Sequence, residues 1–297
     1  MTPSPSGAWI EMDGGVRVRQ SVLFRMNSVL LAHPEHSVLV DPGVLPSELD
    51  DLARAVRARD SSELTLIFTH GDWDHVLGRP WWPEASSVAH DRFAGEIRHK
   101  REAILSAASA AVAGAGERWD RGFEPFRPRV EVSGLHFDRL GPWRLVYRDA
   151  FGHSRSMLSV HLPEHRLLIA ADMLSDIEIP LLLEPCRVYR RTLLELLPLA
   201  ENGAIRTLIP GHGSIANRPE EVLERLRRDL TYLDELERGV LAARAGGLSL
   251  EQTTERLQAM DYVSKRADYS MVENHRDNVA VEYEATPAIT PITDRGP

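Results

Sequence analysis

The chain opens on short runs of apolar and β-branched residues. Residues 16–19 alternate apolar and polar, and 21–32 and 37–40 are apolar or β-branched runs. These are the patterns of half-buried and buried strands. Asp41-Pro42-Gly43 breaks the chain, and 46–58 then sets Leu49, Leu52, Ala53 and Val56 on one helical face. Residues 64–68 read as a short buried strand that runs straight into a loop crowded with His and Asp. The spacing predicts one helix over 91–113, with Phe93, Ile97, Ile104 and Leu105 on a shared face. An irregular stretch rich in Gly, Pro, Arg and aromatics follows at 114–128. Strands resume at 130–135 and 143–150, then at 157–162 and 166–171 around a turn at 163–165. A helix at 188–200 and a buried strand at 207–209 follow, and from Pro219 the pattern is mostly helical, with Ser249 and Gln252 spaced as a capping box. Two strand-rich blocks each end in a helical block. Two sheets covered by helices is the simplest packing of that order.

Composition narrows the class. With 43% hydrophobic and 27% charged residues in 297, the chain has the make-up of a globular protein able to bury a sizeable core. A net charge of -9 and an aromatic content of 6% argue against nucleic acid and anionic lipid as partners. A small anionic substrate stays open, because metal ions can dominate a local field. The one cysteine, Cys186, forbids an internal disulfide, fits a reducing cytoplasm, and reads as an inert buried thiol. Residues 1–10 have neither the basic nor the apolar region of a secretory signal. The longest near-apolar run, 167–183, is interrupted by Asp172, Asp176 and Glu178, which argues against a membrane span. The expectation is a cytoplasmic protein with a small-molecule substrate. Its oligomeric state is open, and a homodimer is compatible with everything above.

The chemistry concentrates in the loop after the 64–68 strand, where His70, Asp72, Asp74 and His75 fall within six positions. Imidazole nitrogen and carboxylate oxygen are ligands for Zn(II), Mn(II) and Fe(II). Alternate positions on an extended loop point the same way, so His70, Asp72 and Asp74 can converge, with His75 turned to a neighbouring position. Three further strand ends each carry one metal-competent side chain beside small residues: Gly152-His153-Ser154, Ala171-Asp172-Met173 and Pro210-Gly211-His212-Gly213. Singly each is a bland turn. In this order they form a pattern.

The pattern resembles that of the metallo-β-lactamase superfamily: Thr-His-x-His-x-Asp-His, then Gly-His-(Ser/Thr), a strand-end Asp, and Pro-Gly-His. Here it stands as Thr69-His70-Gly71-Asp72-Trp73-Asp74-His75, Gly152-His153-Ser154, Ala171-Asp172 and Pro210-Gly211-His212. The run Val38-Leu39-Val40-Asp41-Pro42-Gly43 resembles the family's early strand, and the resemblance covers about residues 8–240. It implies an α/β fold, a four-layer αββα sandwich, as a single domain over 1–285, with a helical insertion around 91–128, C-terminal helices from about 219 and a flexible tail at 286–297. It implies two divalent ions, one held by His70, Asp72 and His153, the other by Asp74, His75 and His212, with Asp172 bridging. Asp41 would orient ligands without binding metal. The implied activity is a dinuclear metallo-hydrolase whose metal-bridging hydroxide attacks a lactone, thioester or phosphoester, with Asp74 and Asp172 as the catalytic carboxylates.

Asp72 departs from the pattern, which has His there. A carboxylate moves preference from Zn(II) toward Mn(II) or Fe(II). It also resembles the glutamate of the flavodiiron branch, whose di-iron centres reduce dioxygen or nitric oxide, though nothing here matches that branch's flavodoxin-like domain. A non-catalytic metal-binding module is the other alternative, and the complete ligand set argues against it. His33, His36, His90, His99, His136, His161 and His165 lie near turns or polar faces and are expected at the surface. His275, on a C-terminal helix, is a weak substrate-side candidate. Trp73, Trp81 and Trp82 are expected to pack, and the arginines of 118–129 to lie in a solvated loop.

Overall fold

A computed structural model describes residues 9–262 and 271–287; of the expected tail, everything from residue 288 lies outside the described residues. The first sheet has seven strands in chain order: β1 (Trp9–Glu11), β2 (Val16–Gln20), β3 (Asn27–Leu31), β4 (His36–Val40), β5 (Glu63–Ile67), β6 (Ser86–His90) and β7 (Val130–Val132). β1 to β4 pair antiparallel, and β4 to β7 pair parallel. The second sheet orders β12 (Thr207–Ile209), β11 (Leu167–Ile169), β10 (Leu158–Leu162), β9 (Trp143–Asp149) and β8 (Leu135–Leu140).

The period of two along the strands decides the layers. Val29, Val38 and Ile67 point inward and pack with Leu145, Tyr147, Val160 and Ile169 of the second sheet. Their neighbours Leu30, Leu39 and Leu66 point outward against Leu49 and Leu52 of α1 (Pro46–Arg57) and the aromatic Phe93. On the outer face of the second sheet, Leu168 and Leu208 pack with Tyr189 and Leu193 of α5 (Cys186–Glu201) and Leu226 and Leu233 of α6 (Pro219–Ala245). The result is the expected αββα sandwich.

Two expected elements are divided. The helix over 91–113 is two helices, α3 (Phe93–His99) and α4 (Arg101–Gly114), with Lys100 between them. A short helix that follows α1, α2 (Trp73–Val76), lies in the His/Asp loop. The strand over 130–135 is split between the sheets: β7 ends, Gly134 takes φ 68, and β8 starts in the other layer. That positive φ is open to glycine at little cost. The capping box forms as expected: the Gln252 N–H donates to Ser249 Oγ at 3.2 Å and the Ser249 N–H to Gln252 Oε1 at 2.9 Å. It opens α7 (Leu250–Leu257), which packs with α8 (Val272–Ala285). No helix among the described residues is long and apolar enough to cross a membrane.

Candidate metal centre

The loops at one edge of the sandwich bond across the layers. The Leu158 N–H donates to the Thr69 carbonyl at 2.8 Å, and the Asn27 N–H to that of Gly211 at 2.7 Å. These bonds tie the end of β5 to the start of β10, and the start of β3 to the loop after β12. Asp72 is extended (φ -78, ψ 151) and stands at the start of α2, whose first turn carries Asp74 and His75.

Seven side chains meet there. One donor atom each from His70, Asp72, His153 and Asp172 lie within 4.8 Å of one another, and so do those of Asp74, His75 and His212. Asp172 is central: Oδ2 is 3.3 Å from His70 Nε2, 3.5 Å from His153 Nε2 and 3.5 Å from His212 Nε2, and Oδ1 is 3.1 Å from His75 Nε2. Gly211 makes this approach possible, since a Cβ there would stand 2.0 Å from Asp172 Oδ1.

Hydrogen bonds on the far side of the rings aim the Nε2 atoms inward. Asp41 accepts from the Thr69 N–H at 2.7 Å, from the Thr69 hydroxyl at 2.6 Å and from His75 Nδ1–H at 2.9 Å. With its proton given to Asp41, the Thr69 hydroxyl accepts from His70 Nδ1–H at 3.0 Å. His212 Nδ1–H donates to the Phe24 carbonyl at 3.0 Å. Protons on Nδ1 leave Nε2 with a lone pair, the state a metal ligand needs. His70 Nε2, His75 Nε2 and Asp172 Oδ1 are buried and make no hydrogen bond among the described residues. Buried polar atoms without partners are costly, and nitrogen and carboxylate donors converging in this way are a chemistry that divalent cations fit.

The electrostatics agree. Burial favours the neutral acid, yet the surrounding histidines hold Asp72 and Asp172 well below the usual carboxylate range, and Asp74 is lowered too. Burial and His75 work against a charged His70, but Asp172 and Asp72 prevail and raise it to about 9, so a cation taking up Nε2 must displace a proton there. Three ionised carboxylates in one buried cluster call for positive charge.

Several contacts had no signal in the sequence. Lys100, at the break between α3 and α4, donates to Asp72 Oδ1 at 2.7 Å and to Glu96 Oε1 at 2.5 Å. Glu96 also accepts from the Ser154 hydroxyl at 2.9 Å, so this helical pair grips both sides of the site. Glu178 is buried, which pushes its carboxyl up to about 7, and its charge couples to His212, Asp172, Asp74 and His153. Arg225, buried on α6, donates to the Leu174 and Ser214 carbonyls at 3.2 and 2.8 Å and ties the Asp172 loop to the His212 loop.

Two other expectations are corrected, those for His275 and for His36, His90 and His161; the tryptophans, the 118–129 arginines and Cys186 lie as expected. His275 is not brought to the site. It is buried among the C-terminal helices, with Nδ1 2.9 Å from the Tyr232 hydroxyl and Nε2 3.1 Å from the Leu257 carbonyl. His36, His90 and His161 are buried rather than at the surface, because each finds a polar partner: His36 on Thr65, His90 beside Asp91 and Asp149, His161 on the Ala204 carbonyl. Trp73, Trp81 and Trp82 pack against the first-sheet core. The 118–129 loop is anchored by buried Phe123 and by Phe126, which lies 4.9 Å from the Phe68 ring. Cys186 is buried, and burial and Glu282 push its thiol up.

No curated protein sequence matches the chain. Among solved structures, the stereoselective inverting sec-alkylsulfatase Pisa1 from Pseudomonas sp. aligns with a TM-score of 0.70 and 13% identity, over 97% of this chain and 51% of the sulfatase. The chain thus spans about half the length of that enzyme. A metallo-beta-lactamase family protein from Thermus thermophilus aligns at 0.63 with 17% identity, over 91% of this chain and 94% of that one. A beta-lactamase domain protein from Burkholderia ambifaria aligns at 0.64 with 17% identity, over 95% and 88%. At these identities the likeness is one of fold. The sequence profile of the metallo-beta-lactamase superfamily matches residues 23–231, and the chain belongs to that superfamily.

Proposed function

We propose that the chain is a metal-dependent hydrolase that cleaves an ester-type bond in a small molecule. The observation that carries this reading is the convergence of seven buried or half-buried donors, with four histidines within 3.5 Å of Asp172. His70, Asp72 and His153 would hold one divalent ion, Asp74, His75 and His212 a second, and Asp172 would touch both. Zn(II) suits the imidazoles, and Asp72 opens the first position to Mn(II) or Fe(II). Bound ions would supply Lewis acidity and a water acidified toward neutrality.

The protein's own part is orientation and proton handling. Asp41 and the Phe24 carbonyl fix the His75 and His212 rings. Asp74 Oδ2, 3.3 Å from His212 Nε2, and Asp172 are placed to accept a proton. Glu178, pushed up to about 7 by burial and within electrostatic reach of His212, Asp172 and Asp74, is the proposed group that returns one. The substrate classes are lactones, thioesters and phosphoesters, and the alkylsulfatase likeness adds sulfate esters. A single buried thiol fits a cytoplasmic setting.

The test is elemental analysis of protein purified without added metal, then a panel of those esters with wild type and Asp172→Ala. Two ions per chain and a turnover lost in the variant are expected. A chain that saturates with no ion, or turnover indifferent to Asp172→Ala, would sink the proposal. Iron with turnover that requires dioxygen would replace hydrolysis by the oxidoreductase reading that Asp72 alone favours.

A further inference from the structure

A second cleft lies beside the His153 loop and uses none of the seven donors. Its volume is about 530 Å³, and Arg148, Arg187 and Arg191 line it with Leu135, Phe151 and Val188. Two carboxylates also border it, and both are engaged. Asp149 Oδ1 accepts from the Gly134 N–H at 2.7 Å and faces His90 Nε2 at 3.3 Å, and Glu195 pairs with Arg191 at 3.1 Å.

Arg148 and Arg187 are left without a carboxylate partner among the described residues. Arg187 is exposed on the first turn of α5 and is solvated. Arg148 is different. It sits half-buried on β9, and its Nε is sealed from solvent and donates to no acceptor among the described residues. A guanidinium N–H that has lost water and gained no acceptor is costly, and the remaining nitrogens of this half-buried side chain border the cleft, where an anion can pair with them. Planar guanidinium pairs bidentately with carboxylate, sulfate or phosphate oxygens. The apolar side chains of Leu135, Phe151 and Val188 give the same ligand a surface for a hydrocarbon stem.

We infer that this cleft binds a small organic anion: an oxyanion head on Arg148 and Arg187, and a short apolar stem against Phe151. The cleft and the candidate metal centre share one segment of chain. Phe151 is two residues from His153, and its carbonyl is pinned by the Thr192 hydroxyl at 2.8 Å. The inference does not depend on the hydrolase reading.

Titration calorimetry of the full chain with hexylphosphonate, which has no ester bond to cleave, hexanoate and inorganic phosphate tests it. Saturable binding of the two hexyl compounds is expected, with inorganic phosphate weaker because it lacks the stem. Arg148→Met keeps the length of the side chain and removes the charge. It should weaken binding about tenfold or more, the usual value of a charge-assisted bond. Arg187→Gln, at an exposed position where folding is not at stake, should weaken it in the same direction. Because phosphate could also bind at a metal centre, Asp172→Asn is the control and should leave the affinity unchanged. No saturable binding up to millimolar ligand, unchanged binding in both arginine variants, or loss in Asp172→Asn alone would each overturn the inference.

Discussion

Among the described residues, Asp172 is the one side chain that lies within 4 Å of all four site histidines, so its removal should differ in kind from removal of any other single candidate ligand. Asp172→Ala is expected to lose both ions while the circular dichroism of the sandwich is kept. Asp41→Ala should be milder. It touches Thr69 and His75 from behind, and losses of such supporting contacts cost about 10- to 100-fold in metal affinity. Equal losses in the two variants, measured by competitive metal titration, would show that Asp172 is not central. Asp72 carries a different prediction because of Lys100. Asp72→His restores the superfamily's usual residue but takes the carboxylate away from the Lys100 ammonium, which is left with Glu96 alone. The single variant should therefore lose about 1 kcal/mol of stability. Adding Lys100→Gln should recover it and move the preference toward Zn(II). A single variant as stable as wild type would mean that the Lys100–Asp72 pair is worth nothing.

At the scale of elements, glycine positions decide how closely the loops approach. Gly152 has φ 130, and a Cβ there would lie 2.4 Å from Tyr189 side-chain atoms. Gly152→Ala must strain the backbone and displace an aromatic core residue, so a loss of about 1–3 kcal/mol and a lower metal affinity through His153 are expected. A chemical-denaturation midpoint equal to that of wild type would contradict this. The strand ends that carry His70, His153, Asp172 and His212 were legible because a short apolar run that ends in a donor beside small residues is a local signal. What was not legible depends on distant partners. Lys100 reads as one more helix residue until α3 and α4 part around it. Glu178 reads as a charge interrupting an apolar run until burial turns it inward. The 130–135 run is locally one strand, and only the demand of two facing layers divides it at Gly134. His275 follows the same rule in reverse: the superfamily resemblance suggests that a tail helix reaches the pocket, while Tyr232 and the Leu257 carbonyl claim the ring.

For the whole molecule, two conditions should move stability. Burial holds His161 below its ordinary value against the opposing bond to Ala204, and Arg148 adds to the depression. His161 is thus neutral in the fold and takes a proton more readily when unfolded. Stability is complete above about pH 6.5 and falls as the pH drops through the depressed folded value. His161→Gln should flatten that fall between neutral and mildly acidic pH; an unchanged slope would exclude His161 as its source.

Metal should matter more, because the site joins the layers. His70, Asp72, Asp74 and His75 follow the first sheet, and His153, Asp172 and His212 follow strands of the second. Ions held between them would bind the folded sandwich and not the open chain, and such binding adds about 4 kcal/mol when free metal is a thousand times the dissociation constant. Without ions, the buried carboxylates keep their desolvation cost and their mutual repulsion across the same edge. Thermal unfolding in the presence of a chelator should therefore begin at a lower temperature than in its absence, and the midpoint should climb with added Zn(II) or Mn(II). Asp172→Ala, with the carboxylate central to the four histidines gone, should show a midpoint nearly indifferent to chelator. Identical wild-type midpoints with and without chelator would mean that the two halves of the sandwich close without metal, and that the seven donors are held together by their hydrogen bonds alone.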